Sequence, residues 1–113
     1  MEQDKKSNIY YIEKPFFREA MMLLAFNKQI DWLEDGMSLM SWTYKKVAST
    51  TEVDPDKIYY KFKRWSGNKR AKKAGHRTIS IGDIVELEDG VKIVTGTGWL
   101  KIPDVVWNKI QKK

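Results

Sequence analysis

The chain has 113 residues, of which 42% are hydrophobic and 12% aromatic, with no cysteine and a single histidine. This length and composition fit one domain with a buried core, and the missing cysteines exclude disulfides, thiol nucleophiles and the usual zinc-ligand sets. The longest apolar run, residues 20–26, is far shorter than the roughly 20 residues of a membrane-spanning helix. With no secretory signal pattern at the amino terminus either, we expect a cytoplasmic protein without membrane contacts.

The net charge of +6 is concentrated in one stretch, residues 61–77, here named the basic segment. It holds eight of the 21 basic residues and none of the 15 acidic ones, so the rest of the chain is slightly acidic. A localised group of cations produces a directed field that attracts and orients an anionic partner.

The first 14 residues are polar and then briefly apolar at residues 9–12, a pattern that predicts a short strand or a docking arm. Pro15 suits the first position of a helix, and no glycine or proline follows before Gly36, so we predict a helix over residues 15–34. One stripe of this helix, largely apolar, consists of Phe16, Ala20, Leu23, Leu24, Asn27 and Ile30.

Next along the chain, Met40, Trp42 and Tyr44 alternate with polar residues, and this period of two predicts a strand over residues 38–48. Asp54 followed by Pro55 is typical of a helix start, with a capping carboxylate before a first-turn proline. The buried side of that helix is predicted to carry Ile58, Phe62 and Trp65, and the helix is predicted to end at Ser66 and Gly67.

Beyond the basic segment, residues 79–102 are rich in β-branched side chains and are interrupted by glycine-containing turns. The pair Asp89 and Gly90 predicts a hairpin with a type I′ turn. A three-stranded meander is the simplest interpretation. Pro103 and Asp104 then begin a short terminal helix in which Val106 and Ile110 share one side.

These elements predict an α+β fold: a small antiparallel sheet of three to four strands, two main helices and a short C-terminal helix. Residues 1–36 form an N-terminal arm and amphipathic helix, and residues 37–113 form the α+β domain, the two together making a single compact domain.

Four stretches occur in the order of a known domain. Residues 44–47 read YKKV, residues 75–85 read GHRTISIGDIV and residues 98–102 read GWLKI, while the intervening helix carries Asp56, Ile58, Tyr59 and Phe62. In this order they resemble the YodL-like domain found in proteins of Firmicutes, their phages and other mobile elements. The resemblance covers residues 42–107 and implies a phage or mobile-element origin.

Two features depart from the YodL-like pattern. The link between the helix and the stretch at residues 75–85 is longer and more basic than is usual in the family, and the family does not regularly carry the Met-rich and aromatic helix at residues 15–34. The resemblance brings no set of catalytic residues with it. Both departures are therefore candidates for the function of this chain.

Lysines and arginines beside Trp65 and small polar residues are typical of phosphate binding, with an aromatic ring available to stack on a base. The structural alternative is a flexible, solvated loop. The candidate residues for binding nucleic acid or an acidic partner are Lys61, Lys63, Arg64, Lys69, Arg70, Lys72, Lys73, His76 and Arg77.

Apolar residues outside the main stripes favour contact with another protein, because tryptophans and other large side chains dominate binding interfaces. Burial in the chain's own core is the common alternative, and we expect it for Trp42, Trp65 and Trp99. The interface candidates are Phe17, Met21, Met22, Trp32 and Trp107.

A catalytic interpretation rests on Asp83, with His76 and Ser80 near it in sequence. A Ser, His, Asp triad requires convergence in space. The structural interpretation is stronger, because an aspartate after a glycine at a turn commonly accepts backbone N–H groups.

The sequence therefore favours a small non-enzymatic binding protein, without cofactor or metal, that engages nucleic acid or a nucleic-acid-handling host complex through the basic segment. The alternative is a protein-interaction module that uses the N-terminal helix, either as an inhibitor of a host defence enzyme or as a homo-oligomeric component. If the protein is phage encoded, its location is the host-cell cytoplasm.

Overall fold

An antiparallel sheet organises residues 6–25, 40–63 and 78–112, which are the residues that the computed structural model describes. Its strands are β1 (Ser7–Ile12), β2 (Tyr44–Thr50), β3 (Ile84–Leu87), β4 (Gly90–Thr95) and β5 (Gly98–Ile102). The helices are α1 (Phe17–Leu24), which follows a 3-10 turn at Lys14–Phe16, α2 (Pro55–Lys63) and α3 (Asp104–Gln111). The α+β class is confirmed, but the described sheet has five strands rather than three to four.

The additional strand is β1, which lies inside the sheet. The spatial order is β2-β1-β3-β4-β5, with Ile9 opposite Ala48 on one side and opposite Val85 on the other. The predicted meander is present as β3, β4 and β5. Because β1 pairs with strands about 40 and 75 residues away, no local pattern could have revealed its place.

The strand predicted over residues 38–48 begins later than expected. Met40 and Ser41 are helical, Trp42 is buried in the core, and β2 runs only from Tyr44. The physical reason is that the neighbouring strand stops, since β1 ends at Ile12 opposite Tyr44 and the chain then turns into the 3-10 helix. A strand needs a neighbour to satisfy its backbone groups. Residues 38 and 39 lie outside the described residues.

The sheet is covered on both sides. Its first face packs against α1 and α3 through a core that includes Ile12, Ile84 and Ile93. The second face packs against α2 through a core that includes Ile9 and Val85. Because both faces are buried, neighbouring residues of β1, β3 and β4 are apolar. The alternation of apolar and polar residues that marks a sheet with one exposed face is therefore weak.

The two main helices predicted from the sequence, α1 and α2, begin at or close to the predicted residues. Pro15 lies in the first turn before α1, and the α1 residues Ala20 and Leu24 are fully buried. At α2 the Asp56 N–H donates to Asp54 Oδ1 at 2.9 Å, which is the expected N-terminal cap. Residues 26–34 of the first predicted helix, and Trp65 to Gly67 at the end of the second, lie outside the described residues.

The predicted hairpin is confirmed, but its turn type differs. The two loop residues are Glu88 and Asp89, neither of which has a positive φ, and Gly90 takes the positive value of 145°. A type I′ turn requires positive φ at both central residues. Residues with a Cβ disfavour positive φ, so the positive value occurs one residue later, at Gly90.

Two glycines let α1 approach the sheet closely. A methyl group at Gly82 would lie 2.9 Å from the Cβ of Ala20, and one at Gly96 would lie 2.2 Å from the carbonyl oxygen of Ala25. The Gly96 N–H donates to the Leu24 carbonyl at 3.2 Å, which satisfies one of the unpaired acceptors at the end of α1. In residues 6–25, 40–63 and 78–112, no helix is long and apolar enough to cross a membrane.

Candidate nucleic-acid interface

The basic segment starts on the side of the sheet that α2 covers. Lys61 and Lys63 are exposed in the last turn of α2. Phe62 and Ile79, the nearest buried residues before and after the undescribed stretch, both belong to the second-face core. The remaining candidate residues lie outside the described part of the chain: Arg64, Lys69, Arg70, Lys72, Lys73, His76 and Arg77.

The outer surface of α2 carries cations and an aromatic ring. Ile58 and Phe62 face the sheet and are buried, which places Tyr60 on the opposite side of the helix, where it is 62% exposed. Lys57 and Lys61 are exposed as well, and no acidic residue occurs in α2 after its first turn. Tyr60 was absent from the sequence-based candidates. Helical spacing from the predicted apolar side could have identified it.

A chain of aromatic contacts fixes α2 to β5. Tyr59 and Trp99 meet edge to face with ring centroids 6.1 Å apart, and the Trp99 indole N–H donates to Asp56 Oδ1 at 2.9 Å. The ammonium of Lys63 lies 5.1 Å from the centroid of the Tyr59 ring, a cation-π distance. Trp99 and Trp42 pack in the two cores, as predicted. These contacts therefore hold α2 in a fixed position against β5.

The sheet adds further lysines to the same side. Lys92 and Lys101 stand directly opposite each other in β4 and β5, and strand alternation places both on the second face because Val91 and Ile102 belong to the first. Like charges in opposite positions destabilise a sheet, but the Lys101 side chain reaches Gly90 at the β3–β4 turn, near the carboxylates of Glu88 and Asp89. Lys45, opposite the buried Tyr11, extends the cationic surface to the other edge of the sheet.

The first face differs in its chemistry. Its central carboxylate, Glu86, accepts hydrogen bonds from the Asn8 amide at 2.8 Å and from the Trp107 indole N–H at 3.0 Å. Burial, followed by the charge of Glu86, raises the pKa of the Tyr10 hydroxyl above its ordinary value. Both carboxylate oxygens of Glu86 are thus engaged within the chain, on a face that also carries the exposed Lys46 opposite Tyr10.

The prediction of an interface role for Trp107 needs correction. The side chain is only 4% exposed and meets the Tyr10 ring edge to face, with centroids 5.0 Å apart. Its position near the end of a predicted element suggested exposure, but α3 packs on the first face and Trp107 lies on the inward side of that helix. Packing of α3 against the first face therefore shields the Trp107 side chain from solvent.

The other interface candidates lie on or after α1. Met21 is 40% exposed and Met22 is 74% exposed, so both are accessible on the helix surface. Phe17 is half-buried against the first-face core. Trp32 lies outside the described residues. The accessible apolar surface of α1 is thus made by the two methionines.

Asp83, the residue considered for catalysis, has a structural role in the turn before β3. Its side chain is fully buried, Oδ1 accepts the Ile12 N–H at 3.0 Å, and Oδ2 accepts the Ser80 N–H at 2.8 Å. This confirms the prediction that the carboxylate satisfies backbone donors. His76 lies outside the described residues.

An open depression of about 670 Å³ lies between the β3–β4 turn and the first turn of α3. Its charged lining is mixed, with Lys6 and Lys101 near Glu88, Asp89 and Asp104. Among the described residues, no three side chains of the kinds that ligate metals are grouped to hold an ion. The depression offers no arrangement of groups that indicates one ligand.

Comparison with known proteins adds no assignment, because no family model, no curated protein and no solved structure matches this chain.

Proposed function

We propose that this protein binds nucleic acid through the lysine-rich second face and the basic segment. The observation that supports the proposal most directly is the charge distribution around α2. Lys57, Lys61 and Lys63 are exposed on this helix, and the basic segment continues from its last turn. Surface cations grouped on one side of a fold are the electrostatic signature of a phosphate-binding protein.

The helix itself offers a competing explanation for only part of this charge. Cations in the last turn of a helix favourably oppose its dipole, which accounts for Lys61 and Lys63. The dipole does not account for Lys92 and Lys101, which oppose each other on adjacent strands of the same face. Lys101, however, lines the depression that also holds Glu88, Asp89 and Asp104, so the proposal rests on the cations of α2 and of the basic segment.

The salt dependence of binding tests the proposal. With a fluorescently labelled oligonucleotide, anisotropy titrations between about 50 and 200 mM salt should give a slope of log affinity against log salt near −4 to −5 for about five phosphate contacts. Replacing Lys69, Arg70, Lys72 and Lys73 by glutamine should make the slope less negative by about 3 to 4. A slope close to zero for the wild-type chain would sink the proposal.

A matched control variant loses four positive charges from parts of the surface outside the proposed interface. Lys14 lies next to α1, Lys109 and Lys112 lie on or just after α3, and Lys46 lies opposite Tyr10 on the first face. All four are exposed. Replacing them by glutamine should leave the slope within about one unit of the wild-type value, since none of them lies on the proposed surface. An equal loss in both quadruple variants would show that only net charge matters.

A second candidate function is supported by the exposure of Met21 and Met22 on α1. Accessible methionines adapt to irregular protein surfaces, and this favours a protein-interaction module, either an inhibitor of a host defence enzyme or a homo-oligomeric component. The YodL-like resemblance adds a phage or mobile-element origin to this proposal. Capture of a partner from host lysate that survives nuclease treatment, and that Met22→Ser abolishes, would support this alternative over direct nucleic-acid binding.

A further inference from the structure

We infer that the bound nucleic acid crosses the border between α2 and β2, where Lys45 of β2 contacts its phosphates together with Lys61 of α2. The inference rests on the proposed function and adds to it the direction in which the ligand runs over the second face. Lys45 lies outside the basic segment. Its part in binding follows from its position in the fold.

One flank of α2 is engaged with β5. The side of the helix toward the sheet carries the buried Ile58 and Phe62. On the flank next to it, Tyr59 meets the ring of Trp99 edge to face, and the exposed Asp56 accepts the indole N–H of the same tryptophan at 2.9 Å. A flank with a carboxylate and a packed tryptophan is unfavourable for a phosphate, so the ligand is expected on the other side of the helix.

The opposite flank of α2 faces β2. Lys57 and Lys61 each precede a buried residue by one position, whereas Tyr59 follows one, so the helical rotation of about 100° per residue places the two lysines away from β5. In the sheet order β2-β1-β3-β4-β5, the edge opposite β5 is β2. Val47 and Ala48 of β2 pack against the core that α2 covers. The two exposed lysines therefore border β2.

β2 presents one lysine on each face of the sheet. Lys45 stands opposite Tyr11, which belongs to the second-face core, and Lys46 stands opposite Tyr10, which packs on the first-face core. Both lysines are exposed, and β2 contains no acidic residue. Only Lys45 is therefore on the side of the sheet that α2 covers.

The nearby carboxylates leave this part of the border positive. Glu52 and Asp54 use side-chain oxygens to accept backbone N–H groups at the start of α2, whereas Lys61 lies in its last turn and Lys45 near the start of β2. Glu13, which follows β1, lines a cleft on the first face. Lys45 and Lys61 thus lie away from the acidic loop, toward the point where the basic segment begins.

A polyanion fits lysines that belong to separate elements. Its phosphates repeat along the chain, so a strand held by the basic segment can engage Lys61 and Lys45 in turn without a dedicated pocket. Contacts of this kind position a nucleic acid and carry no sequence information. The contribution of Lys45 should therefore be similar for oligonucleotides of different sequence.

The experiment compares Lys45→Gln with Lys46→Gln, two substitutions that remove the same charge at adjacent exposed positions on opposite faces. In anisotropy titrations with a labelled oligonucleotide, Lys45→Gln should make the slope of log affinity against log salt less negative by about 0.9 and weaken binding by about 5- to 15-fold at about 50 mM salt. Lys46→Gln should stay within about twofold of the wild-type affinity, and so should Lys45→Arg, which keeps the charge. Thermal unfolding should be nearly unchanged in all three variants, because both side chains are exposed.

The possible results separate this inference from the function on which it rests. Selective loss in Lys45→Gln, with binding retained in Lys45→Arg, supports the path across β2. Equal effects of the two glutamine substitutions, a larger effect of Lys46→Gln, or no effect of either overturns the path, while a steep wild-type slope still supports nucleic-acid binding by the basic segment. If the wild-type chain does not bind the oligonucleotide at low salt, the proposed function fails and the inference fails with it.

Discussion

The buried carboxylate of Asp83 connects the end of β1 to the turn before β3, and its removal has a calculable cost. Its two oxygens accept the N–H groups of Ile12, at the end of β1, and of Ser80, in the turn before β3, at 3.0 and 2.8 Å. The Asp83 carbonyl separately accepts the Val94 N–H of β4 at 2.9 Å. In Asp83→Ala this main-chain bond can persist, whereas both side-chain acceptors are lost.

Each lost acceptor leaves a backbone N–H without its partner in a site that excludes water. A hydrogen bond to a charged group contributes about 1.5–3 kcal/mol, so Asp83→Ala should lower the free energy of unfolding by about 3–5 kcal/mol. That is a large fraction of the roughly 5–15 kcal/mol typical of a domain. The expected decrease in Tm is about 10–20 °C. Asp83→Asn keeps one acceptor and should cost about half as much.

Urea unfolding followed by tryptophan fluorescence measures these differences, with five tryptophans as reporters. The control is Asp89→Ala, since Asp89 is exposed in the β3–β4 turn, and its effect should stay within about 0.5 kcal/mol. A loss below about 1 kcal/mol for Asp83→Ala would refute the structural assignment of this carboxylate. Catalytic carboxylates often leave stability unchanged or improved when removed, so the same measurement separates the two roles.

Two further predictions concern α1 and the first face. Gly96→Ala should lower the free energy of unfolding by about 2–4 kcal/mol in the same urea assay, because a methyl group there would lie 2.2 Å from the Ala25 carbonyl oxygen. The control is Thr97→Ala at the neighbouring exposed residue. Equal effects of the two substitutions would contradict the close approach of the end of α1 to Gly96. Burial and the charge of Glu86 raise the pKa of Tyr10 above 10.0, so the unfolded chain ionises first and stability should fall as pH rises from that value through the raised pKa. Absorbance titration should show a late-ionising phenol that Tyr10→Phe lacks, and a titration curve unchanged by the substitution would contradict the assignment.

Local patterns were sufficient for several elements. The Asp54 cap and Pro55 placed the start of α2, and the 3.6-residue spacing of Ile58 and Phe62 identified its buried side. The β-rich stretch after the basic segment was correctly divided into three strands. These signals succeed because capping and periodicity act between residues close in sequence. The cluster of charge in residues 61–77 is likewise visible without a structure, and its role as a binding site stays a prediction.

Pairing across long distances was not predictable. The residues of β1 gave no sign that this strand would lie between β2 and β3. The alternation of Met40, Trp42 and Tyr44 looked like a strand, although of these three only Tyr44 belongs to one. Trp107 was expected to be accessible near the end of an element and is buried instead. In each case the outcome depends on which distant segment supplies the other side of the contact.

By itself, the sequence determined the α+β class, the start of the capped helix, the hairpin and the concentration of charge in residues 61–77, because composition, caps and periodicity are properties of the chain itself. Only the tertiary structure decided that the sheet has two covered faces, that α2 and Lys92 with Lys101 share one of them, and that Tyr60 stands exposed among lysines. The physical reason is that a surface is composed of residues distant in sequence, and folding alone determines which of them become neighbours.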